Sequence, residues 1–358
     1  MGGPLESSTF FRDKPIFGLD IGFSTVKVMQ IENHGNSHHV IGYGSGNFDS
    51  SAIKEGVIVN LELLASSINQ MFNGAISGHI NTRRVVTNIP ATRTFTKTMN
   101  LPPIRDDELK QAVMNEAEQY IPMPLGELYL DYSIIERTKK GVELLAVAVP
   151  KAIVDTHLDL VRVLGLEPVA FDTSIGAAGR LFESQNRHED IPAVLIDFGS
   201  ISADITIHDK TVIVTSTVPC GGDIFTDQIS KKLGVNSEEA GLIKTKYGLT
   251  KSKKQAEIQQ ALQPELDKLV KEIKRMIRYY EERSETKQKI GQLITMGGGA
   301  NMPGLSDYLT GALRLPVRMC DPWADLSLGR LKIPGDAEKS MYVTAAGLSL
   351  VETKELFS

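Results

Sequence analysis

The chain has 358 residues, 41% of them hydrophobic and 23% charged, with 39 Lys and Arg against 44 Asp and Glu. The length predicts two core-bearing units or one large bilobal fold, and a formal net charge of −5 lacks the basic excess that nucleic-acid binding requires. Because the apolar stretches are too short to cross a membrane and two cysteines are too few for a disulfide framework, we expect a cytoplasmic protein without direct membrane insertion.

The first half of the chain begins with a strand, an Asp-x-Gly turn and a second strand that returns beside the first. The apolar alternation from Phe17 to Ile31, with Asp20 inside it, carries this prediction. The elements predicted in this half are strands at 16–21, 26–31, 38–44 and 84–89 and a helix at 61–72.

An additional α+β block interrupts this half. Its alternation predicts strands at 93–99, 129–135 and 142–149 and helices at 106–120 and 151–164. Prolines set its corners, since each forbids helix continuation: Pro102, Pro103, Pro122 and Pro124. We therefore predict an inserted subdomain at residues 92–165.

The second half repeats the order of the first. The segment from Val194 to Ile207 matches Phe17 to Ile31 in pattern, and Asp197 follows Asp20 by 177 residues. The elements predicted here are strands at 193–198, 203–208, 211–218 and 292–296, a helix near 223, a solvated loop at 250–260, an amphipathic helix at 264–284 and a helical segment at 341–351. The repetition predicts two related α/β halves that face each other.

The two Asp-x-Gly turns are candidates for binding the phosphates of a nucleotide. A glycine lets backbone N–H groups approach phosphate oxygens, hydroxyls add donors, and a carboxylate holds Mg²⁺ directly or through water. A single turn of this kind is also ordinary hairpin chemistry, but the matched pair favours a nucleotide site. The candidates are Asp20 and Asp197 for the metal and, for the phosphates, Gly22, Ser24, Thr25, Lys27, Gly199, Ser200 and Ser202.

Two further glycine-rich segments could approach a bound nucleotide. Gly297, Gly298 and Gly299 follow a strand and precede Asn301, an arrangement that lets a planar group lie over the backbone; the alternative is a tightly packed strand-to-helix connection. Gly221 and Gly222 precede a helix for which Asp223 is the expected N-cap, and the alternative there is a simple capped loop.

Together these features resemble the phosphate-one, phosphate-two and adenosine motifs of the actin, sugar kinase and heat-shock chaperone superfamily. The inserted block is placed like subdomain 1C of the cell-division protein FtsA and of the PilM family. The segments at 115–122 (Asn-Glu-Ala-Glu-Gln-Tyr-Ile-Pro), 221–226, 244–248 and 321–323 resemble PilM segments in the right order. The sequence shows no terminal amphipathic helix of the FtsA kind, which favours the PilM family.

The resemblance implies an actin-like, ribonuclease H-like duplicated, bilobal ATPase fold with an inserted α+β subdomain 1C. It divides the chain into an N-terminal tail (1–15), a first lobe 1A (16–91 and 166–190), the 1C-like insertion (92–165), a second lobe (191–351, 2A, with 2B at about 235–290) and a C-terminal tail (352–358).

The resemblance also implies ATP and Mg²⁺ as ligands, with Lys244 near the ribose. Gly241 stands where the family usually offers a glutamate, and Glu238 and Glu239 on the previous turn are the candidates to replace it. Asp172 is expected where the chain enters the cleft, as a catalytic candidate that binds Mg²⁺ or orients a water, or else as the N-cap of the next helix.

The function implied is that of an ATP-binding cytoplasmic scaffold of the type IV pilus inner-membrane complex. It would bind the N-terminal cytoplasmic tail of PilN, reach PilO through it, and lie at the inner membrane through this partner; self-association is compatible with the fold. An edge of the inserted sheet or a groove beside the helix 106–120, near Tyr120 and Ile121, is the expected docking place. The alternative is that these two residues close the subdomain core. At most slow ATPase activity is expected, because no positioned base or arginine finger is evident.

Two other functions remain open from sequence alone. One is an FtsA-like cell-division filament protein. The other is a small-molecule kinase, which needs a base aspartate facing an acceptor hydroxyl, and Asp172 and Asp204 are the candidates for that role.

Overall fold

A computed structural model of the chain describes residues 14–34, 37–185, 191–283 and 288–352. Most of the two predicted tails, 1–13 and 353–358, lies outside these residues. Within the described ranges, no helix has the length and apolar character needed to cross a membrane.

The first lobe is built on a sheet in which the first strand lies centrally. The elements before the insertion are β1 (Phe17–Ile21), β2 (Thr25–His34), β3 (Ser37–Asn47), β4 (Ile53–Lys54), β5 (Val57–Ile58), α1 (Leu61–Gly74), β6 (Ile76–Gly78) and β7 (Arg84–Ile89). β1 pairs antiparallel with β2 and parallel with β7. All five residues of β1 are buried, as expected for a central strand covered on both faces.

The insertion is a three-stranded antiparallel sheet with a helix on one face. Its elements are β8 (Phe95–Leu101), α2 (Asp106–Ala117), β9 (Leu128–Thr138) and β10 (Gly141–Pro150), and the strand order is β8–β10–β9. Leu109 and Val113 of α2 pack with Leu144 and Ala146 of β10 in one core. The predicted α+β character is confirmed.

Three elements then complete the first lobe: α3 (Lys151–Val163), β11 (Glu167–Thr173) and α4 (Ser174–Gln185). The predicted end of the insertion at 165 is wrong, because Leu160 and Val161 of α3 are buried in the core of the first lobe with Leu64 and Ile68 of α1. A helical pattern indicates that one face of a helix is buried but not which sheet that face covers.

The second lobe repeats the strand order of the first. Its elements are β12 (Ala193–Phe198), β13 (Ala203–Asp209), β14 (Thr211–Val218), α5 (Gly222–Leu233), α6 (Ser237–Lys246), α7 (Gln255–Arg283), β15 (Gln292–Met296), α8 (Leu305–Leu313) and β16 (Val317–Met319). The sheet order is β14–β13–β12–β15–β16. β12 therefore holds the place that β1 holds in the first lobe, antiparallel to the next strand and parallel to a later one.

The long helix α7 begins nine residues earlier than its predicted start at 264. The predicted loop at 250–260 is therefore wrong from Gln255 onward. Ile258 and Leu262 are fully buried on the same face as the later apolar residues, and this burial offsets the hydrogen bond that Pro264 cannot donate inside the helix.

The last described elements, β17 (Leu326–Ser327), α9 (Asp336–Lys339) and α10 (Val343–Ser349), return to the first lobe. β17 pairs with β3, and α10 packs against β1 and α4. The second lobe thus ends before Leu326, not at residue 351 as predicted. All residues of α10 are buried, so its sequence carries no polar face that would indicate which lobe it joins.

The insertion also contacts the second lobe directly. The hydroxyl of Thr98 on β8 donates to the carbonyl oxygens of Val212 and Ile213 on β14, each at 3.3 Å. Leu145 of β10 packs with Val212 beside this contact. One edge of the inserted sheet is therefore covered, whereas the outer edge of β9 pairs with no other described strand.

Candidate functional site

A cavity of about 770 Å³ lies between the lobes, where β1 and β12 end. Its wall brings together predicted residues from both turns and from the glycine-rich segments: Asp20, Gly22, Thr25, Lys27, Asp197, Gly199, Ser200, Ser202, Gly222, Lys244, Gly297, Gly298 and Gly299. The residues of the two distant halves thus face one shared space.

The two Asp-x-Gly turns have the same backbone hydrogen bond. Gly22 N–H donates to the carbonyl of Thr25, and Gly199 N–H donates to the carbonyl of Ser202, each at 2.9 Å. The duplication seen in the sequence is therefore also a duplication of turn geometry, with an aspartate at the end of the strand in each case.

The residues opposite these aspartates differ between the halves. Lys27 on β2 stands opposite Asp20, and its ammonium Nζ lies 3.0 Å from the carboxylate Oδ2. Asp204 on β13 stands opposite Asp197, so the corresponding pair in the second lobe consists of two acids. Asp20 and Lys27 are only 6% and 7% exposed, which strengthens their attraction because water screens it little.

The pKa values of Asp197 and Asp204, the two acids of the second lobe, are raised. Burial raises the pKa of Asp197 to about 7, helped by the negative charges of Asp204 and Asp20 and opposed by Lys27. Burial raises the pKa of Asp204 to about 6, although the hydroxyl of Thr217, which donates to it at 2.6 Å, acts in the opposite direction. A divalent cation would favour the ionised forms of these acids.

The described residues contain no group of three or more His, Cys, Asp or Glu side chains arranged to hold a metal. Asp20 and Asp197 alone would leave most coordination positions of a cation to other ligands. This donor set suits Mg²⁺, which keeps several waters and shares its coordination between one or two carboxylates and phosphate oxygens.

Gly297 occupies a position that a side chain could not. Its φ is 81°, and an added Cβ would overlap the carboxylate Oδ1 of Asp197 and the carbonyl of Phe198. Its N–H donates to the carbonyl of Ser340 at 3.1 Å, and the Ser340 hydroxyl donates back to its carbonyl at 2.9 Å. The glycine-rich segment therefore packs directly behind the second aspartate.

The start of α5 is fixed on the second turn. Gly222 N–H donates to the carbonyl of Gly199 at 2.9 Å, and Asp223 N–H donates to that of Ser200 at 2.7 Å. Gly221 is the N-cap residue, so the predicted capping role of Asp223 is wrong; Asp223 lies in the first turn of the helix. Gly221 itself does not line the cavity, but a Cβ there would overlap the backbone of Ser200.

Lys244 reaches the cavity from α6. Its Nζ donates to the carbonyl of Gly222 at 2.6 Å and to the hydroxyl of Thr226 at 2.8 Å. Burial lowers the pKa of this ammonium, and the charge of Asp223 opposes that effect. A second cavity of about 510 Å³ adjoins the first at Lys244 and the glycine segment, and Asn301 lines this second space. At Gly241, the nearest atom to an added Cβ is the Cγ2 of Thr226, at 4.0 Å.

Besides Gly221, two more predicted residues, Asp172 and Ser24, lie outside both cavities. The carboxylate of Asp172 forms an ion pair with Arg180 at 2.8 Å and accepts the N–H of Thr173 at 2.7 Å. The capping bond of α4 comes from Thr173 instead, whose hydroxyl accepts the N–H of Gly176 at 2.9 Å. Ser24 contributes its carbonyl, which accepts the N–H of Phe48 at 3.0 Å.

Sequence reasoning missed several residues on the insertion side of the first cavity. Arg93 and the hairpin residues Glu55 and Gly56 line it there, as does His157 of α3. The His157 Nδ1 donates to the carbonyl of Ile153 at 2.9 Å, which leaves Nε2 as an acceptor that has no hydrogen-bond partner in the described part of the chain. Burial lowers the pKa of His157. No motif marks these residues, because chain folding alone brings them to the cavity.

Comparison with known proteins gives consistent results. The family described as type IV pilus assembly protein PilM matches residues 18–353. The cell division protein FtsA of Bacillus subtilis is 25% identical over 352 residues, 85% of this chain and 78% of that protein. FtsA of Streptococcus pneumoniae is 23% identical and covers 85% of this chain and 75% of its own length.

Solved structures share the fold. A PilM-PilN type IV pilus biogenesis complex superposes with a TM-score of 0.81 at 23% identity and covers 94% of this chain and 97% of that one. MreB5 of Spiroplasma citri bound to AMPPNP superposes with a TM-score of 0.54 at 13% identity, covering 96% and 98%. The predicted actin-like ATPase fold is confirmed.

Proposed function

Since the chain belongs to the family of the type IV pilus assembly protein PilM, we propose that it is an ATP-binding scaffold of the pilus inner-membrane complex. In this role it binds the N-terminal cytoplasmic tail of PilN and is linked through PilN to PilO. It works in the cytoplasm, held at the inner membrane by this partner, and it can self-associate. It needs no nucleic acid.

The proposal that the protein binds ATP is supported by the pair of equivalent turns on either side of one cavity. Asp20 and Asp197 would hold Mg²⁺, and Lys27 and the N–H groups of the two turns would bind phosphate. Bound Mg²⁺ neutralises phosphate charge. Lys244, Gly298, Gly299 and Asn301 line the second cavity, on the side where the nucleoside would sit.

Turnover of ATP by this site is slow. A fast phosphoryl-transfer enzyme needs a group that orients the attacking nucleophile. Of the two candidates for that role, Asp172 is engaged with Arg180 outside the cavity. Asp204 lines the cavity, but its carboxylate accepts the hydroxyl of Thr217 at 2.6 Å. Nucleotide binding then serves mainly to fix the relative position of the two lobes, and not to hydrolyse ATP rapidly.

The structure favours β9 over α2 as the docking place for the tail. Ile121 is buried in the core that α2 closes and Tyr120 packs against it, so the alternative role of these residues, closing the subdomain, is the better one. The outer edge of β9 is unpaired among the described strands, and Tyr129 and Ile134 on it are 47% and 46% exposed. An extended tail can add a strand to such an edge and bury two apolar side chains.

A binding assay with a synthetic PilN tail carrying a fluorescent label tests the partner. Tyr129→Asp and Ile134→Asp should each weaken binding at least tenfold. Leu242→Asp is a matched control, because Leu242 is a 65% exposed apolar residue on α6 of the second lobe. Undiminished tail binding by both β9 variants, or no binding by the unaltered protein, would refute the proposal.

A further inference from the structure

Arg93 stands where the first lobe meets the insertion. It ends a 3₁₀ turn, Ala91–Arg93, that connects β7 to β8, and it lines the first cavity. The tip of the β4–β5 hairpin packs on it: an added Cβ at Gly56 would lie 3.2 Å from the Cγ of Arg93. Glu55 and Gly56 at this tip have φ angles of 53° and 85°, so the turn brings the hairpin sharply against the arginine.

The residues that line each cavity indicate how a bound nucleotide would be oriented. They share Gly222, Lys244, Gly298 and Gly299, so a nucleotide that spans both cavities would have its nucleoside end near those residues. Arg93, Glu55 and His157 line the first cavity and do not line the second. If the phosphates are held between the two Asp-x-Gly turns, Arg93 is a cation of the same cavity that could receive the terminal phosphate.

The cations of the cavity differ in how firmly they are held. Lys27 lies 3.0 Å from Asp20, and Lys244 donates at 2.6 and 2.8 Å to protein oxygens. The ion pair of Arg93 with Glu55 is 3.9 Å long, and the two side chains are 44% and 71% exposed. A long, exposed pair contributes little free energy, so the guanidinium can exchange its carboxylate for a phosphate, which it can bind through two parallel hydrogen bonds.

We propose that Arg93 binds the terminal phosphate of the nucleotide and thereby distinguishes ATP from ADP. This inference rests on the proposed nucleotide function. One residue separates Arg93 from β8, the first strand of the insertion. The residue that would contact the third phosphate thus lies next to the first strand of the subdomain that carries the proposed docking edge.

The test is isothermal calorimetry of Mg²⁺-ATP and Mg²⁺-ADP with the full chain and with Arg93→Gln. The variant should bind ATP about tenfold or more weakly, equivalent to a loss of about 1.4 kcal/mol, and bind ADP within about twofold of the unaltered protein. Retained ADP binding also shows that the variant is folded. Arg93→Lys should recover part of the ATP affinity, because an ammonium keeps the charge but cannot form the two parallel hydrogen bonds.

Glu55→Gln separates phosphate binding from a structural role. If Arg93 served only to hold the hairpin, removing the charge of Glu55 would reproduce the effect of Arg93→Gln on both nucleotides, and the proposal would fall. An unchanged ratio of ATP to ADP affinity in Arg93→Gln would overturn it as well, while leaving the nucleotide site intact. Failure of the unaltered protein to bind either nucleotide would instead overturn the proposed function and this inference together.

Discussion

Lys27 forms a buried ion pair with Asp20, its Nζ 3.0 Å from the carboxylate, on neighbouring strands of the first lobe. The second lobe copies the turn but places Asp204 opposite Asp197. One half of the site is therefore neutralised by the protein itself. The other half keeps acids whose charge is balanced best by a bound cation.

Removing either aspartate of the two turns should abolish Mg²⁺-dependent ATP binding. Asp20→Asn leaves Lys27 buried without its partner, and Asp197→Asn removes the second metal ligand. Calorimetry with and without EDTA measures the effect. Asp159→Asn, an exposed residue of α3, is the control and should bind ATP normally. ATP affinity that stays unchanged in both site variants would show that the metal lies elsewhere.

Asp197→Asn should also make the nucleotide-free protein more stable above pH 7. The pKa of Asp197 rises from 3.8 to about 7 on folding, so between these pH values the folded protein keeps a proton that the unfolded chain has lost. The free energy of unfolding therefore falls as the pH rises through this range, and the amide removes that loss. Urea unfolding in EDTA at pH 5 and pH 8 should show a gain on the order of 2 kcal/mol at pH 8. A pH dependence identical to that of the unaltered protein would contradict the burial of this acid.

Gly297→Ala should destabilise the protein by at least about 2 kcal/mol and abolish ATP binding. The residue has a φ of 81°, and its Cβ would overlap Asp197. Gly311→Ala is the matched control, because Gly311 lies within α8 and an added Cβ meets no atom within 4 Å. Alanine should be neutral or slightly stabilising there. Equal effects of the two substitutions would argue against a special role for Gly297.

Removing residues 95–149 should eliminate binding of the PilN tail and spare ATP binding. Phe95 pairs with Ala148, so the two ends of the insertion lie side by side and a short Gly-Ser linker can join them. Arg93 and α3 stay in place, which keeps the first-lobe core closed. Circular dichroism and ATP calorimetry verify the fold. A folded deletion protein that still captures the tail would place the docking surface outside the insertion.

Asp172→Asn should lower the free energy of unfolding by about 1 kcal/mol through loss of the partly buried pair with Arg180. The turnover of ATP, which we expect to lie well below roughly 1–100 s⁻¹, should change less than about twofold. A coupled-enzyme assay on purified protein measures it. A tenfold fall in turnover at unchanged ATP affinity would assign Asp172 the catalytic role that its sequence position suggests.

The sequence predicted the strands and the paired turns well because their signal is local. Asp20 and Asp197 each end an apolar strand and precede a glycine, and Gly297 follows another strand directly. Arg93 could not be found in this way, since its place in the cavity depends on a hairpin formed by residues 53–58. The sequence likewise did not predict the lobe on which α10 packs, because an apolar pattern indicates that a helix is buried but not which surface it contacts.

The return of α10 to the first lobe sets an order of events during synthesis. The hydroxyl of Ser349 accepts the N–H of Gly18 at 3.1 Å, a contact between residues 331 positions apart. The face of β1 that α10 covers therefore stays open until residue 349 has been made, although α1 can already cover the other face. All five described strands of the second-lobe sheet have been made by residue 319. The lobe made second is thus the first that can close its own sheet, and in the interval the nascent first lobe still exposes the face of β1 that α10 later covers.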